Sequence, residues 1–280
     1  MVALVTGHRG FLGRHLVERL RADSVDVAGA GRPDIEIPSA AFDALLAATR
    51  PDIVVHCAGP ASVPESLEHP DEDRAGAVDV LGALLERIGG TKLVLVSSAA
   101  VYGEPAELPI AEAAPVAPLS PYGRHRVEAE RLALDSGVPL AVARVFSAYG
   151  EGLRRQVLWD IAQQALAGGP VELSGTGNET RDFVHARDVA AAIAAIATRS
   201  SFEGEIVNVA AGVETSIARL AEILTAELGT EDVTFNGVGR PGDPTRWRAD
   251  ISHLRELGFE PATSIETGAA AYARWARNSR

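Results

Sequence analysis

Cysteine is almost absent from this chain. Cys57 stands alone among 280 residues, so no intramolecular disulfide is available and nothing in the cysteine usage points to secretion. Positive charge is scarce as well: 26 Lys and Arg face 38 Asp and Glu, for a net charge of −12. That balance argues against nucleic acid or an anionic membrane as the main partner, and an anionic ligand would need local arginines to overcome the overall field. No apolar run approaches the roughly 20 residues a membrane helix needs, and repeats and low-complexity tracts are missing. The first strand signal starts at residue 2, which leaves no space for a signal peptide and makes the cytoplasm the expected location.

What the sequence does contain begins at once. Val2-Ala3-Leu4-Val5 is an apolar run, and Thr6-Gly7-His8-Arg9-Gly10-Phe11-Leu12-Gly13 leads from it into a stretch with Leu12, Leu16, Val17 and Leu20 on one helical face. This reads as strand, glycine-rich turn, helix. In such a turn Gly7 permits the bend, Gly10 lets backbone approach a pyrophosphate, and Gly13 lets helix pack on strand, so that helix-terminal amides face phosphate. Strand-like Val25–Gly29, Asp52–His56, Lys92–Ser97 and Leu140–Val145 then alternate with helix-like stretches near Ala40–Thr49, Ala75–Ile88 and Tyr122–Ser136. Such alternation predicts an α/β, doubly wound parallel sheet of Rossmann type with helices on both faces. After Gly150 turn clusters become frequent. Residues 1–150 are therefore expected to bind a dinucleotide, and 151–280 to form a smaller C-terminal substrate-binding portion interwoven with the core.

The next chemical signal is Val94-Leu95-Val96-Ser97-Ser98, a buried strand ending in serines, where a doubly wound sheet faces its ligand crevice. Farther on, Ser120-Pro121-Tyr122-Gly123-Arg124-His125-Arg126 opens a helix on which Tyr122 and Arg126, four apart, share a face. A tyrosine beside a cation gives up its proton more readily, and a nearby serine hydroxyl can hold a substrate oxygen meanwhile. That is equipment for hydride transfer at an alcohol or ketone.

Taken in order, Thr6-Gly7-x-x-Gly10-Phe11-Leu12-Gly13, Val55-His56-Cys57-Ala58-Gly59, Ser97-Ser98-x-x-Val101-Tyr102-Gly103, Pro121-Tyr122-Gly123, Gly177-x-x-Thr180-Arg181-Asp182-Phe183-Val184, Asn208-Val209 and Arg240-Pro241-Gly242-Asp243 resemble the extended short-chain dehydrogenase/reductases of the NAD-dependent epimerase/dehydratase family. The likeness spans nearly the whole chain. It implies a homodimeric enzyme acting on a nucleotide sugar, with Tyr122 as acid/base and Ser98 as its partner on the substrate oxygen. It also implies that Arg181 and Arg240 hold the substrate diphosphate, and that Ala58 lies at the cofactor.

Three departures stand out. The family's Tyr-x-x-x-Lys is here Tyr122-x-x-x-Arg126, and arginine keeps the charge in a bulkier, planar group. The family's Val-Asn-Val reads Val78-Asp79-Val80, and its Phe-Asn-x-Tyr-Gly reads Phe146-Ser147-Ala148-Tyr149-Gly150, which leaves Ser147 in place of one polar contact to the sugar nucleotide. If Asp79 accepts hydrogen bonds from Arg126, the first two changes compensate one another. In that reading both belong to the cofactor site.

Cofactor choice is read beyond the second strand, where an acid would bind the ribose of NAD and an arginine the 2′-phosphate of NADP. Glycine occupies the acid position and Arg32 follows it, so NADP is favoured over NAD, with Arg9 as a second cation. Asp34-Ile35 resembles the acid-apolar pair beside the adenine ring. His8 is balanced between a contact with cofactor phosphate or substrate and a solvated loop residue, while His125 reads as a surface residue and Cys57 as packing. His56 and Cys57 point to opposite faces of a strand and lack a second pair, so no metal is expected.

Dehydratases of the family carry Asp-Glu after the serine or threonine, whereas this chain has Ala99-Ala100. That leaves hydride transfer at C4. The segment Ala61-Ser62-Val63-Pro64-Glu65-Ser66-Leu67, the short Arg32–Ile37 region and Arg32 itself favour a 4-ketoreductase of an NDP-4-keto-6-deoxyhexose over a 4-epimerase. A third reading, from Asp79 and Arg126 together, is a dinucleotide-binding regulator that has lost turnover.

Overall fold

The computed structural model describes residues 1–230 and 232–279. Strand β1 (Val2–Thr6), helix α1 (Phe11–Ala22), β2 (Asp26–Ala30), α2 (Ala40–Thr49) and β3 (Ile53–His56) open the chain. Short helices α3 (Val63–Glu68) and α4 (Pro70–Arg74) run through a π-helical turn, Ala75–Asp79, into α5 (Val80–Ile88). Then come β4 (Lys92–Ser98), α6 (Pro121–Asp135), β5 (Leu140–Val145) and β6 (Ser147–Tyr149). Next are α7 (Gln156–Ala167), β7 (Val171–Leu173), β8 (Thr180–His185), α8 (Ala186–Arg199) and β9 (Glu203–Val209). The last elements are β10 (Glu214–Ser216), α9 (Ile217–Leu228), β11 (Val233–Phe235), α10 (Ser252–Glu256) and α11 (Ile265–Asn278).

Six parallel strands form the main sheet in the order β2-β1-β3-β4-β5-β9. This is the expected α/β doubly wound architecture. Side chains alternate across it: Ala3 and Val5 pack with Leu16 and Leu20 of α1 and with Val189, Ile193 and Ile196 of α8, while Leu4 and Val54 pack with Phe42, Leu81 and Leu84 on the other face. The alanines at 190, 192, 194, 195 and 197 are buried, and they let α8 lie close to α1. Residues beyond 150 thus return α8 and β9 to the main layer. Their other elements, α7, α9 and α11, enclose a separate core around Tyr149, Leu158, Ile161, Leu220 and Tyr272.

The chain leaves β1 to one side for β2 and crosses to the other for β3. The crevice at the carboxyl ends of β1 and β3 is therefore the switch point at which such sheets bind ligands. Gly7 stands there with φ of +67°, and a Cβ on it would lie 2.8 Å from the Ala58 nitrogen. A Cβ on Gly13 would lie 2.1 Å from the Gly7 carbonyl, which shows why helix and turn can approach so closely only with glycine.

Candidate active site

Two elements converge on the serine-tipped strand. Ser98 ends β4 and accepts from the Ala100 amide at 3.2 Å, starting a 3-10 turn over Ala99–Val101. Helix α6 begins against that turn: Ser120 caps it by accepting from Gly123 N at 3.2 Å, and Pro121 occupies the first helical position. Gly123 is the contact residue, because a Cβ there would meet the Ala100 carbonyl at 2.6 Å and Pro118 at 2.8 Å. The motif Pro121-Tyr122-Gly123 is thus one device: the proline starts the helix and the glycine seats it beside Ser98. The Tyr122 amide donates to Ser66 Oγ at 3.1 Å, which anchors α3 to the same point.

Arg126 is buried one turn on. Its guanidinium carbon lies 5.1 Å from the Tyr122 ring centroid, one of its terminal nitrogens donates to the Pro60 carbonyl, and its Nε is buried without a partner. Asp79 does not meet it. Asp79 is exposed and pairs with Arg74 at 3.0 Å, and Arg74 also bonds Glu128 on α6. The expected Asp79–Arg126 compensation is therefore corrected: the π-helical turn at Ala75–Asp79 turns Asp79 outward along its own helix, while Pro60 takes the Arg126 donor. Asp79→Asn and Arg126→Lys should accordingly act additively to within about 0.5 kcal/mol in a urea-unfolding double-mutant cycle. A coupling energy above about 1 kcal/mol would restore the pairing.

At the glycine-rich turn, Gly10 caps α1 without a side chain and donates to Gly7 O at 2.8 Å. The amides of Phe11, Leu12 and Gly13 open the helix with no intrahelical partner, as an anion at a helix start requires. This cradle and the orphaned Arg126 Nε fit a dinucleotide. The two arginines expected to read a 2′-phosphate differ from expectation. Arg9 pairs with Asp34 at 2.7 Å, and Arg32, 84% exposed, pairs with Glu36 at 3.0 Å. A tight turn closed by Gly31 and Ile35 brings these acids to the arginines, and Ile35 packs into the core beneath.

His56, fully enclosed, lies with Nδ1 2.8 Å from Thr6 Oγ1, which also accepts from Ala58 N at 3.4 Å. Burial, and after it the Arg126 charge, push its pKa down to about 3. Unfolded imidazole takes up a proton below its ordinary 6.5, whereas the folded ring stays neutral until about 3, so stability contributed by this site falls as pH drops through that window. His56→Gln should flatten the acid limb of stability between those values in urea melts. An unchanged slope would exclude His56 as its source. Burial likewise pushes the Cys57 thiol up to about 12, in keeping with a packing residue. Among the described residues, no three His, Cys, Asp or Glu side chains converge as metal ligands would. His125 is not a surface residue: it bonds the buried Asp73 at 2.6 Å and is only 13% exposed.

Across the crevice, Arg181 on β8 is largely but not fully buried, donates to its neighbour's carbonyl at 2.8 Å and meets Asp243 at 3.3 Å, with its guanidinium 5.7 Å from the Trp247 ring. Burial holds it below the ordinary arginine value, and Asp243 opposes that. Arg240, three residues before Asp243, is half exposed and reaches Asp160 at 3.5 Å. The loop that carries Arg240 thus also fixes Arg181, but no contact joins the two arginines. Ser147 begins β6, half-buried, paired in register with Phe183 beside Arg181's strand.

Sequence reasoning missed a second layer. Glu130, eight residues after Tyr122 on the same face of α6, is buried and meets Arg144 of β5 at 2.7 Å and Ser97 Oγ at 2.5 Å. The guanidinium of Arg144 also lies 4.8 Å from the Tyr102 ring. A buried acid in register with Tyr122 and Arg126 was the available signal.

A serine at the tip of β4, a tyrosine at the head of α6 and a phosphate cradle at the switch point define a dinucleotide-dependent oxidoreductase fold of the short-chain class. The chain belongs to the NAD dependent epimerase/dehydratase family, whose model matches residues 3–210. It is 31% identical to the UDP-glucose 4-epimerase of Mycolicibacterium smegmatis, over 99% of each chain. It is also 31% identical to a protein of Methanocaldococcus jannaschii named as a putative UDP-glucose 4-epimerase, over 99% of this chain and 98% of the other. Among solved structures, MoeE5 in complex with UDP-glucose and NAD superposes with a TM-score of 0.90 at 29% identity, covering 100% of this chain and 99% of that one. The UDP-glucose 4-epimerase of Thermotoga maritima with UDP-glucose gives 0.90 at 26% identity, over 100% and 99%. No helix among the described residues is long and apolar enough to cross a membrane.

Proposed function

We propose that this protein is an NAD-dependent 4-epimerase of UDP-hexoses. One observation carries the reading: end-to-end likeness to UDP-glucose 4-epimerases, in a chain whose sequence carries Ser98, Tyr122, Arg181 and Arg240. Residues 1–150 hold the dinucleotide, with Gly7, Gly10, Phe11, Leu12, Gly13 and Ala58 around the pyrophosphate and Arg126 toward the nicotinamide ribose. Residues 151–280 supply most of the substrate side, where Arg181 and Arg240 take the diphosphate. A cytoplasmic homodimer completes the reading.

When bound, NAD supplies a carrier that accepts a hydride from the sugar C4 and returns it. The chain's own groups manage the oxygen. Ser98 Oγ, already an acceptor from Ala100, donates a hydrogen bond to O4 and fixes it without losing its proton, while the Tyr122 oxygen takes the O4 proton as C4 is oxidised and returns it as C4 is reduced. The Arg126 guanidinium lies over the Tyr122 ring and helps hold that ring in place. Because Arg181 and Arg240 grip the diphosphate rather than the sugar, the keto ring is free to turn and present its other face. The alanines after Ser98 add no acid or base for loss of water.

The 4-ketoreductase reading drew on the 61–67 segment, the Arg32–Ile37 region and Arg32, and the NADP reading on Arg32 and Arg9 as readers of a 2′-phosphate. Both are engaged with carboxylates, so NADP gains little support from them and NAD is the better match. The test is a panel of UDP-, dTDP- and GDP-sugars, including 4-keto forms, with NADH or NADPH and product identification by NMR. Interconversion of UDP-glucose and UDP-galactose without added reductant supports the epimerase; stoichiometric NADPH oxidation by a 4-keto sugar alone supports the reductase.

A further inference from the structure

The turn after β1 holds a histidine where a small residue would suffice, and the end of β2 has made room for it. A Cβ on Gly29 would lie 2.5 Å from the His8 ring carbons, and one on Gly31 would lie 3.9 Å from His8 Nδ1. The imidazole thus lies against the backbone of Gly29, Ala30 and Gly31, in space that side chains at the tip of β2 would otherwise fill. His8 Nδ1 is 3.1 Å from the Ala30 carbonyl, which also accepts from Gly7 N at 2.7 Å. A carbonyl only accepts, so Nδ1 carries the hydrogen and Nε2 of the neutral ring keeps its lone pair.

The end of β2 is where a doubly wound dinucleotide site reads the adenosine ribose, ordinarily through an acid that accepts from its hydroxyls. Gly31 supplies no acceptor side chain here. Of the acids nearby, Asp34 is engaged with Arg9, and Glu36 with Arg32. We propose that His8 replaces the missing acid: its Nε2 accepts a hydrogen bond from the adenosine 2′-hydroxyl and so selects NAD over its 2′-phosphorylated counterpart. This rests on the reading of NAD as cofactor. An ester at O2′ has no hydroxyl hydrogen to give, and its negative charge faces a lone pair instead of a donor. The glycines at 29 and 31 are then the counterpart of His8, because a larger residue at 29 would push the ring off Ala30.

Binding of NAD+ and of its 2′-deoxyadenosine analogue, measured by calorimetry at pH 8, separates this contact from everything else the cofactor touches. Wild type should prefer NAD+ by about 5-fold, the scale of one neutral hydrogen bond. His8→Phe keeps a ring over Gly29 and His8→Ala removes it, and in both the preference should fall to near 1. Because each ratio is taken within one variant, general damage to the turn cancels, and thermal melts confirm that each variant folds. A 5-fold preference retained in both variants, or a wild-type ratio near 1 despite tight NAD+ binding, overturns the role of His8 and leaves the NAD reading intact. Tight binding of NADP+ with none of NAD+ overturns both. If neither variant folds, the wild-type ratio and a ligand-induced change in the His8 Nε2 nitrogen NMR shift decide alone.

Discussion

Tyr122→Phe should lower turnover by roughly 100-fold or more and leave dinucleotide affinity nearly unchanged, as loss of a positioned acid/base predicts. The substitution removes one oxygen. It leaves the ring beneath Arg126, the Ser66 bond to the backbone amide and the seat of Gly123 on Ala100 all in place. Ser98→Ala should cost less, since its hydroxyl orients the substrate oxygen and does not carry the transferred proton. Steady-state rates on a validated UDP-sugar, with NAD+ affinity measured in parallel, check both. Near-wild-type turnover in Tyr122→Phe would remove Tyr122 from the mechanism.

The largest effect on stability should come from Arg144→Met. Both members of the Arg144–Glu130 pair are almost fully enclosed, and the substitution strands a carboxylate that retains only the Ser97 hydroxyl. Removing one partner of a buried pair typically costs about 3–5 kcal/mol, because the remaining charge has lost its compensation. Replacing both with apolar residues, Arg144→Met with Glu130→Leu, should recover most of that loss in urea unfolding. Additive losses from the two substitutions would show that the pair does not act as a unit. Activity bears on the result too: Ser97 neighbours Ser98 and Glu130 follows Tyr122 on α6, so the pair ties together the two elements that carry Ser98 and Tyr122.

Much of this was legible in the sequence because it depends on local pattern. Apolar runs gave β5 as Leu140–Val145 and helical spacing gave α2 as Ala40–Thr49, each with the observed bounds. The roles of Gly7 and Gly13 followed from the turn they build. What was not legible depends on contacts between distant segments. Nothing near Arg9 in the chain announces Asp34, and nothing near His8 announces that Gly29 will make space for it. The stretch Ala75–Ile88 reads as one helix, yet a π-helical turn splits it and sends Asp79 to Arg74 instead of Arg126. Periodicity places a residue on a face, but a single added residue in a turn rotates that face.

The central claim, reversible hydride transfer at C4 with Tyr122 as the proton carrier, is tested most directly with a UDP-hexose deuterated at C4. The protein, given NAD+ and no reductant, should convert it to the C4 epimer with the deuterium retained at C4 in the product. Loss of the label to solvent, or product formed only when NADPH is consumed in equal amount, would contradict the account.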